Sequence, residues 1–370
     1  MRIEVVSFTG TSGLADYAVS LAGRLQKHAH TTLVTADSLP KFFDSMGFTV
    51  ERVFRRSRHY PMDVVRFLMG VVRRRPDVIV LQGPLKFPWF DGMIVRLIRL
   101  AGIRTAITVH DLLPHYPRWW SAVEYGFYYR SFSKVIVHSE AAHQGVKGLG
   151  VASPILVVPH GAYDIFCLSG VSRKDARRRI GVNDDEFVVL FFGHLEPRKG
   201  LVEFIEAARL LQAVPRLKFV IAGGNDMARH GAEYEAVLES AKMMGNVLVR
   251  DARIPFEEVE NYFRASDLVV LPYREGTTSG VLKLAIAFEV PIIASRVGDL
   301  PEQVPPSGGV LIDAGDGMAT ALAEAVVDIS TSPQRYRDGM RLAAQACDWG
   351  PIAKDYYEFL LAKGQTCLNS

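Results

Sequence analysis

Residues 187–211 read FVVLFFGHLEPRKGLVEFIEAARLL. The six apolar residues 187–192 suit a strand buried on both faces, residues 193–200 a loop, and residues 201–211 an amphipathic helix. Strand, loop and helix in that order form the first half of a parallel crossover. The chain opens in the same way. Residues 3–8 read as a strand, the Gly/Ser/Thr stretch 9–13 as a loop, and Leu14, Ala18, Leu21, Ala22 and Leu25 share one face of a helix. Between these two starts lie strands expected at 32–36, 78–81, 105–109, 135–137 and 155–158. After the second start come 219–222, 247–249, 268–271 and 292–294. A linker rich in turn formers, residues 159–175, and a charged helix over 176–180 separate the two series. The expected architecture is α/β, with two Rossmann-like, doubly wound parallel sheets. Their boundaries are expected at 1–168 and 169–347, followed by a C-terminal helix and tail, 348–370.

Composition agrees with two cores. A chain of 370 residues, 49% hydrophobic and 22% charged, is too long for one typical domain and ordinary for a globular α/β protein. The three cysteines, Cys167, Cys347 and Cys367, are far apart and form no metal-ligand spacing, which suits a reducing compartment. The opening MRIEVVSFTG has no apolar leader stretch, and no apolar run approaches a membrane span, so a cytoplasmic location is expected. The net charge of +3 hides an asymmetry. Residues 1–180 carry 25 Lys and Arg against 13 Asp and Glu, and the remainder carries 18 against 27. The basic runs 52–58, 73–75 and 173–179, with the aromatics Trp89, Phe90, Trp119 and Trp120, suggest an anionic membrane surface as a partner. Each run alone reads as a solvated helix face. No nucleic-acid motif is present, so nucleic acid is not expected.

In open parallel sheets, ligands bind outside the carboxyl ends of strands. Four loops qualify. In residues 192–200, Arg198 and Lys199 sit where a helix begins. Two cations oppose the helix dipole there, and a bound diphosphate would relieve that cost. In residues 272–282, small and hydroxylated residues lead into an apolar helix. Thr278 or Ser279 could cap it, the N–H groups up to Gly280 and Val281 could meet an anion, and Glu275 could accept from sugar hydroxyls. The loop before the first helix holds Gly13, with Asp16 one turn on; it is not a GxGxxG fingerprint. Finally His110-Asp111 follows a strand directly and suits a polar or acid–base role, though a lone histidine is more often structural.

Assembled along nearly the whole chain, these segments resemble glycosyltransferase family 4, retaining enzymes of the GT-B fold with two lobes facing across a cleft. The similarity runs through the Gly13 loop, TVHDLLP at 108–114, VIVHSE at 135–140, VPHG at 158–161, GHLEPRKG at 193–200, ASDLVVLP at 265–272, PIIAS at 291–295 and the last helix from Trp349. The resemblance implies a metal-independent hexosyltransferase of bacterial polysaccharide or glycan synthesis, with no cofactor beyond a nucleotide-diphosphate sugar as substrate. No DxD-like metal motif is visible. Arg198 and Lys199, with Gly13 and residues 278–281, would hold the diphosphate. Gly193, Gly223 and Ile254 would hold the nucleotide, and His110, Glu275 and Asp16 would be catalytic. If transfer inverted the sugar, Asp16 or Asp111 would be the base. The family's Glu-x7-Glu motif is broken, since Lys283 or Leu284 stands at its second place. The acceptor would be a saccharide or a lipid-linked saccharide, met at the inner membrane face. Two rival readings share the architecture: a nucleotide-sugar epimerase and a non-catalytic nucleotide-sugar-binding protein.

Overall fold

The computed structural model describes residues 1–55, 57–114, 117–224, 231–275 and 279–362. The chain forms two compact units. One comprises Met1–Gly161 together with the segment from Cys347 onward, and the other Ala162–Ala346.

In chain order, the N-terminal unit contains β1 (Arg2–Val6), α1 (Gly13–Leu25), β2 (His30–Ala36), β3 (Thr49–Phe54), α2 (Tyr60–Arg74) and β4 (Val78–Leu81). It continues with α3 (Pro88–Leu100), β5 (Arg104–Thr108), α4 (Ser121–Arg130), β6 (Lys134–Val137), α5 (Glu140–Gly148) and β7 (Ile155–Val157). Its seven strands are parallel in the order β3-β2-β1-β4-β5-β6-β7. The central strands carry the apolar runs legible in the sequence. The edge strand β3 was not expected. Its TVERVF mixes polar with apolar residues and only Val53 and Phe54 are buried, as suits an edge.

The C-terminal unit contains α6 (Arg173–Ile180), β8 (Phe187–Phe192), α7 (Leu201–Leu210), β9 (Leu217–Ala222), α8 (Ala232–Lys242), β10 (Val247–Arg250) and α9 (Val259–Ala265). Then follow β11 (Leu268–Leu271), α10 (Gly280–Ala287), β12 (Ile292–Ser295), α11 (Leu300–Gln303), β13 (Gly309–Ile312), α12 (Met318–Thr331) and α13 (Pro333–Ala346). Its sheet runs β10-β9-β8-β11-β12-β13, again parallel. The edge strand β13, short and half-buried after a Pro-Pro-Ser-Gly stretch, was also not expected.

The last helix, α14 (Trp349–Leu361), belongs to the N-terminal unit. Its Tyr356 hydroxyl hydrogen-bonds Tyr17 of α1 (2.8 Å) and Thr108 of β5 (3.2 Å). Arg104 donates to the carbonyl of Leu360 (2.6 Å), and Lys134 to that of Ala362 (2.7 Å). Trp349, Ile352, Ala353, Tyr356 and Leu360 are buried along one stripe, as a docked amphipathic helix requires.

The basic run at 173–179 is structural in large part. Arg177 is 2% exposed and donates to Asp267 (2.7 Å) and to the carbonyls of Ala265, Asn183 and Asp184. Arg173 and Arg337 reach the same carboxylate, which also accepts the N–H of Val188. One carboxylate thus pairs with three arginines and joins α6, β8 and α13. Breaking a buried ion pair from one side strands the other charge. Asp267→Ala should therefore lose about 3–5 kcal/mol of stability in urea unfolding, and a midpoint equal to the parent would show that these charges are not coupled.

Candidate functional site

In the C-terminal unit the strand order reverses at β8, with β9 to one side and β11 to the other. Chains leave β8 and β11 in opposite directions, which opens a crevice at their carboxyl ends. The loops expected to carry chemistry, 192–200 and 272–282, follow β8 and β11 at this reversal; residues 276–278 lie outside the described residues.

Two close approaches shape it. The Gly193 N–H donates to Ala222 (3.0 Å), and a Cβ on Gly223 would collide with the Gly193 carbonyl, so only glycine fits. Gly200 has φ +72° and rests against the carbonyl of Pro272, where a Cβ would also collide. The first loop is thereby laid directly on the second. The Arg198 carbonyl accepts the N–H groups of Arg274 (2.9 Å) and Glu275 (3.3 Å). Lys199 Nζ donates to the Tyr273 hydroxyl (3.3 Å) and lies 4.6 Å from that ring's centre. The Tyr273 hydroxyl hydrogen-bonds Ser279 Oγ (2.9 Å), and Ser279 caps α10 by accepting from the N–H of Leu282 (3.4 Å). A Cβ on Gly193 would lie in ordinary contact with Val281.

Lys199 and Ser279 therefore meet at Tyr273, and Gly193 lies beside Val281 at the start of α10. The cationic pair sits on a short 3-10 turn, Pro197–Lys199, ahead of α7 rather than within its first turn. Arg198 is half-exposed and paired with Glu196 (2.7 Å). Glu275 is exposed. Ile254 follows β10, two strands over from β8, and lines a cavity of about 520 Å³ with Arg250, Arg253 and Tyr262. Thr278 lies outside the described residues. Of the two positions that stand for the missing second glutamate, Leu284 is buried in α10 and Lys283 is partly buried.

The N-terminal unit reverses its strand order at β1 and β4. Ser12 caps α1 and Gly13 opens it. Three histidines from three successive strand ends converge beside this helix: His110 after β5, His138 after β6 and His160 after β7. All pack on Tyr17, with ring centres at 4.6, 5.2 and 4.8 Å. His110 Nε2 hydrogen-bonds Gln82 Oε1 (3.1 Å). Burial, with His138 adding to it, holds the His110 imidazole far below its ordinary pKa, so it is neutral near pH 7. One ring nitrogen of each histidine lies within 4.8 Å of the others. That spread is wider than the edge of about 3.4 Å in a tetrahedral zinc site. Asp111 is exposed, and its backbone carbonyl accepts from Tyr129 (3.0 Å).

Sequence reasoning singled out His110 but not Gln82, Tyr17, His138, His160 or Tyr273. The usable signal was position: each of the three histidines stands just past a short apolar strand, and Tyr273 two residues past another.

Burial pushes Asp16 up to about 7 from 3.8. Its ionisation is therefore opposed by folding. The penalty is absent below about pH 4, grows as pH rises towards 7, and is complete above it. Asp16→Asn should melt higher than the parent at alkaline pH and lose that advantage in acid. Melting curves offset equally at both extremes would place the Asp16 carboxyl in water.

Two family models match the chain. Residues 11–163 match "Glycosyltransferase Family 4", and residues 186–332 match "Glycosyl transferases group 1". Among curated relatives, a D-inositol 3-phosphate glycosyltransferase of Segniliparus rotundus is 30% identical over 42% of this chain and 35% of its own length. A lipopolysaccharide 1,2-N-acetylglucosaminetransferase of Salmonella typhimurium is 27% identical over 46% of each. The chain thus spans less than half the length of these relatives. Among solved structures, the Anabaena protein HepE, in complex with UDP and glucose, superposes with a TM-score of 0.72 at 18% identity, over 97% of this chain and 99% of that one. That likeness shows the fold, GT-B.

Proposed function

The chain belongs to glycosyltransferase family 4, and from that premise we propose that it moves a hexose from a nucleotide-diphosphate sugar to a saccharide or lipid-linked saccharide in bacterial glycan synthesis. The observation that carries this reading is the joining of the Arg198–Lys199 turn to the Tyr273–Val281 segment at the reversal of strand order. The diphosphate is assigned to Arg198, Lys199 and the N–H groups at the start of α10; Gly13, at the start of α1, offers backbone of the same kind. Such preorganised cations and dipoles stabilise charge that develops on the leaving group. Lys199, already held by Tyr273, loses little freedom when it binds. Arg198 must exchange Glu196 for phosphate, so its pairing leaves it ready to move.

The nucleotide is assigned to Gly193, Gly223 and Ile254, on three adjacent strand ends. The two glycines there present backbone without side chains. Glu275, exposed next to Arg274, is assigned to sugar hydroxyls. The neutral His110 imidazole, oriented by Gln82, suits a hydrogen bond to a sugar hydroxyl. Transfer is read as retaining, a reaction that needs no strong protein base; were it inverting, Asp16, whose carboxyl burial pushes up to about 7, or Asp111 would be the base. The chemistry is read as metal-independent, the cationic turn taking the role a metal would have. The match of both units to transferase models favours transfer over epimerisation. Catalysis is expected in the cytoplasm, with the acceptor met at an anionic membrane surface.

A panel of UDP-, GDP- and ADP-sugars tests the donor site by thermal stabilisation and by release of nucleoside diphosphate. One nucleotide class should stabilise the protein. Arg198→Ala and Lys199→Ala should each weaken it by roughly 10- to 100-fold, the loss of a charge-assisted hydrogen bond. Stabilisation without release of nucleoside diphosphate to any acceptor would move the non-catalytic nucleotide-sugar-binding reading to the front, stabilisation by no nucleotide would overturn the donor site, and turnover without any acceptor would favour the epimerase.

A further inference from the structure

The helices α2, α3 and α4 follow one another over one face of the N-terminal sheet. Phe67 and Val71 of α2, Val95 and Ile98 of α3, and Tyr128 and Tyr129 of α4 enter a single core cluster. Neighbours are tied directly. Tyr60 of α2 donates to Asp91 of α3 (2.5 Å), and Trp89 of α3 lies 4.7 Å from Phe127 of α4, ring to ring.

The opposite faces of α2 and α3 should be polar if they met only water. They are not. On α2 the exposed side chains include Met62, Val65, Met69 and Val72, spaced as one stripe. On α3 they include Trp89, Phe90, Met93, Leu97 and Leu100, again one stripe, with Leu100 84% exposed. Every other exposed position on these helices is arginine (Arg66, Arg73, Arg96, Arg99) or Pro61. Their two carboxylates point inward. Asp63 is buried and accepts from Arg55 (2.9 and 2.8 Å), with Arg66 3.6 Å away; Asp91 is buried and accepts from Tyr60 and from the N–H of Lys86 (2.9 Å); and the half-buried Glu51 of β3 lies 3.5 Å from Arg73. Apolar stripes this long, rimmed by cations and free of exposed acid, exceed what isolated surface residues explain.

We propose that the α2–α3 face docks on an anionic lipid bilayer, its apolar side chains entering the headgroup–acyl boundary and its arginines meeting lipid phosphates. The charge pattern selects this occupant. A second copy of the chain in a two-fold contact would set arginine against arginine with no carboxylate between them. An anionic lipid surface supplies both the apolar phase and the counter-charge. Trp89 and Phe90, near the start of α3, are the aromatic type that settles at such a boundary. Among the described residues no helix is long and apolar enough to cross a membrane, so attachment would be to one leaflet. The inference rests on the reading of a membrane-met acceptor and gives it a surface.

Flotation of the full chain with vesicles tests it, using phosphatidylcholine alone and phosphatidylcholine mixed with phosphatidylglycerol. Binding should be strong only to the mixed vesicles, should blue-shift tryptophan emission, and should fall with salt. Met69→Glu combined with Leu97→Glu should weaken it by roughly 100-fold, about tenfold for each side chain kept out of the bilayer. Arg66→Gln combined with Arg73→Gln should cost about fivefold for each charge removed. Circular dichroism and donor-induced thermal stabilisation in solution should stay as in the parent, which shows that the variants fold. Equal flotation of parent and Met69→Glu/Leu97→Glu protein would overturn the docking face. So would a dimer in sedimentation that this same pair of substitutions dissolves. Donor binding that persists while flotation fails would sink the docking alone, and flotation without donor binding would sink the transferase reading alone.

Discussion

The Gly193 carbonyl and the Gly223 α-carbon sit so close that no side chain can stand between them, and the site of the C-terminal unit depends on that approach. It brings the exits of β8 and β9 together. The residues that follow β8 must then turn back over β11, where Gly200 meets Pro272 in a second approach of the same kind. Backbone hydrogen bonds from Arg274 and Glu275 to Arg198 complete the join. The position of the two cations is thus fixed by main chain, which is far stiffer than the side chains it carries. A lysine delivered in this way needs only one further partner, Tyr273, to define where its charge lies.

The N-terminal unit solves the corresponding problem differently. Its strand ends bring up rings rather than charges, and Tyr17 is the post against which three imidazoles stack. Burial keeps His110 neutral and Asp16 reluctant to ionise. The His110 imidazole thus carries no charge near neutral pH.

Much of this was legible in the sequence, for a physical reason. Central parallel strands are buried on both faces and so read as unbroken apolar runs, as at 187–192 and 268–271. Edge strands are half-wet and lose that signature, which is why TVERVF at β3 passed unseen. The Arg198–Lys199 loop could be found because it is local, a strand end beside a helix start. Tyr273 could not, since its meeting with Lys199 spans 74 residues of chain and exists only after folding. Charge runs misled in part. Arg173–Arg179 read as a surface cluster, yet Arg177 is buried against Asp267, a partner 90 residues on. Of the exposed stripes of α2 and α3 only Trp89 and Phe90 stood out in the sequence, because an apolar periodicity announces a helix face without saying whether that face is turned in or out.

The docking of α14 on the N-terminal unit sets a timetable for the protein's making. The first 161 residues leave the ribosome without the helix whose Tyr356 hydrogen-bonds Tyr17 and Thr108. That helix follows only after the 185 residues of the other unit, Ala162–Ala346, a delay of roughly 10 to 40 s at ordinary elongation rates. Through that interval the groove awaiting Trp349, Tyr356 and Leu360 stands open and apolar. The C-terminal unit, contiguous in the chain, can close its own core in the meantime. Nascent N-terminal units are therefore the form in which this chain is most exposed to aggregation and most in need of a chaperone.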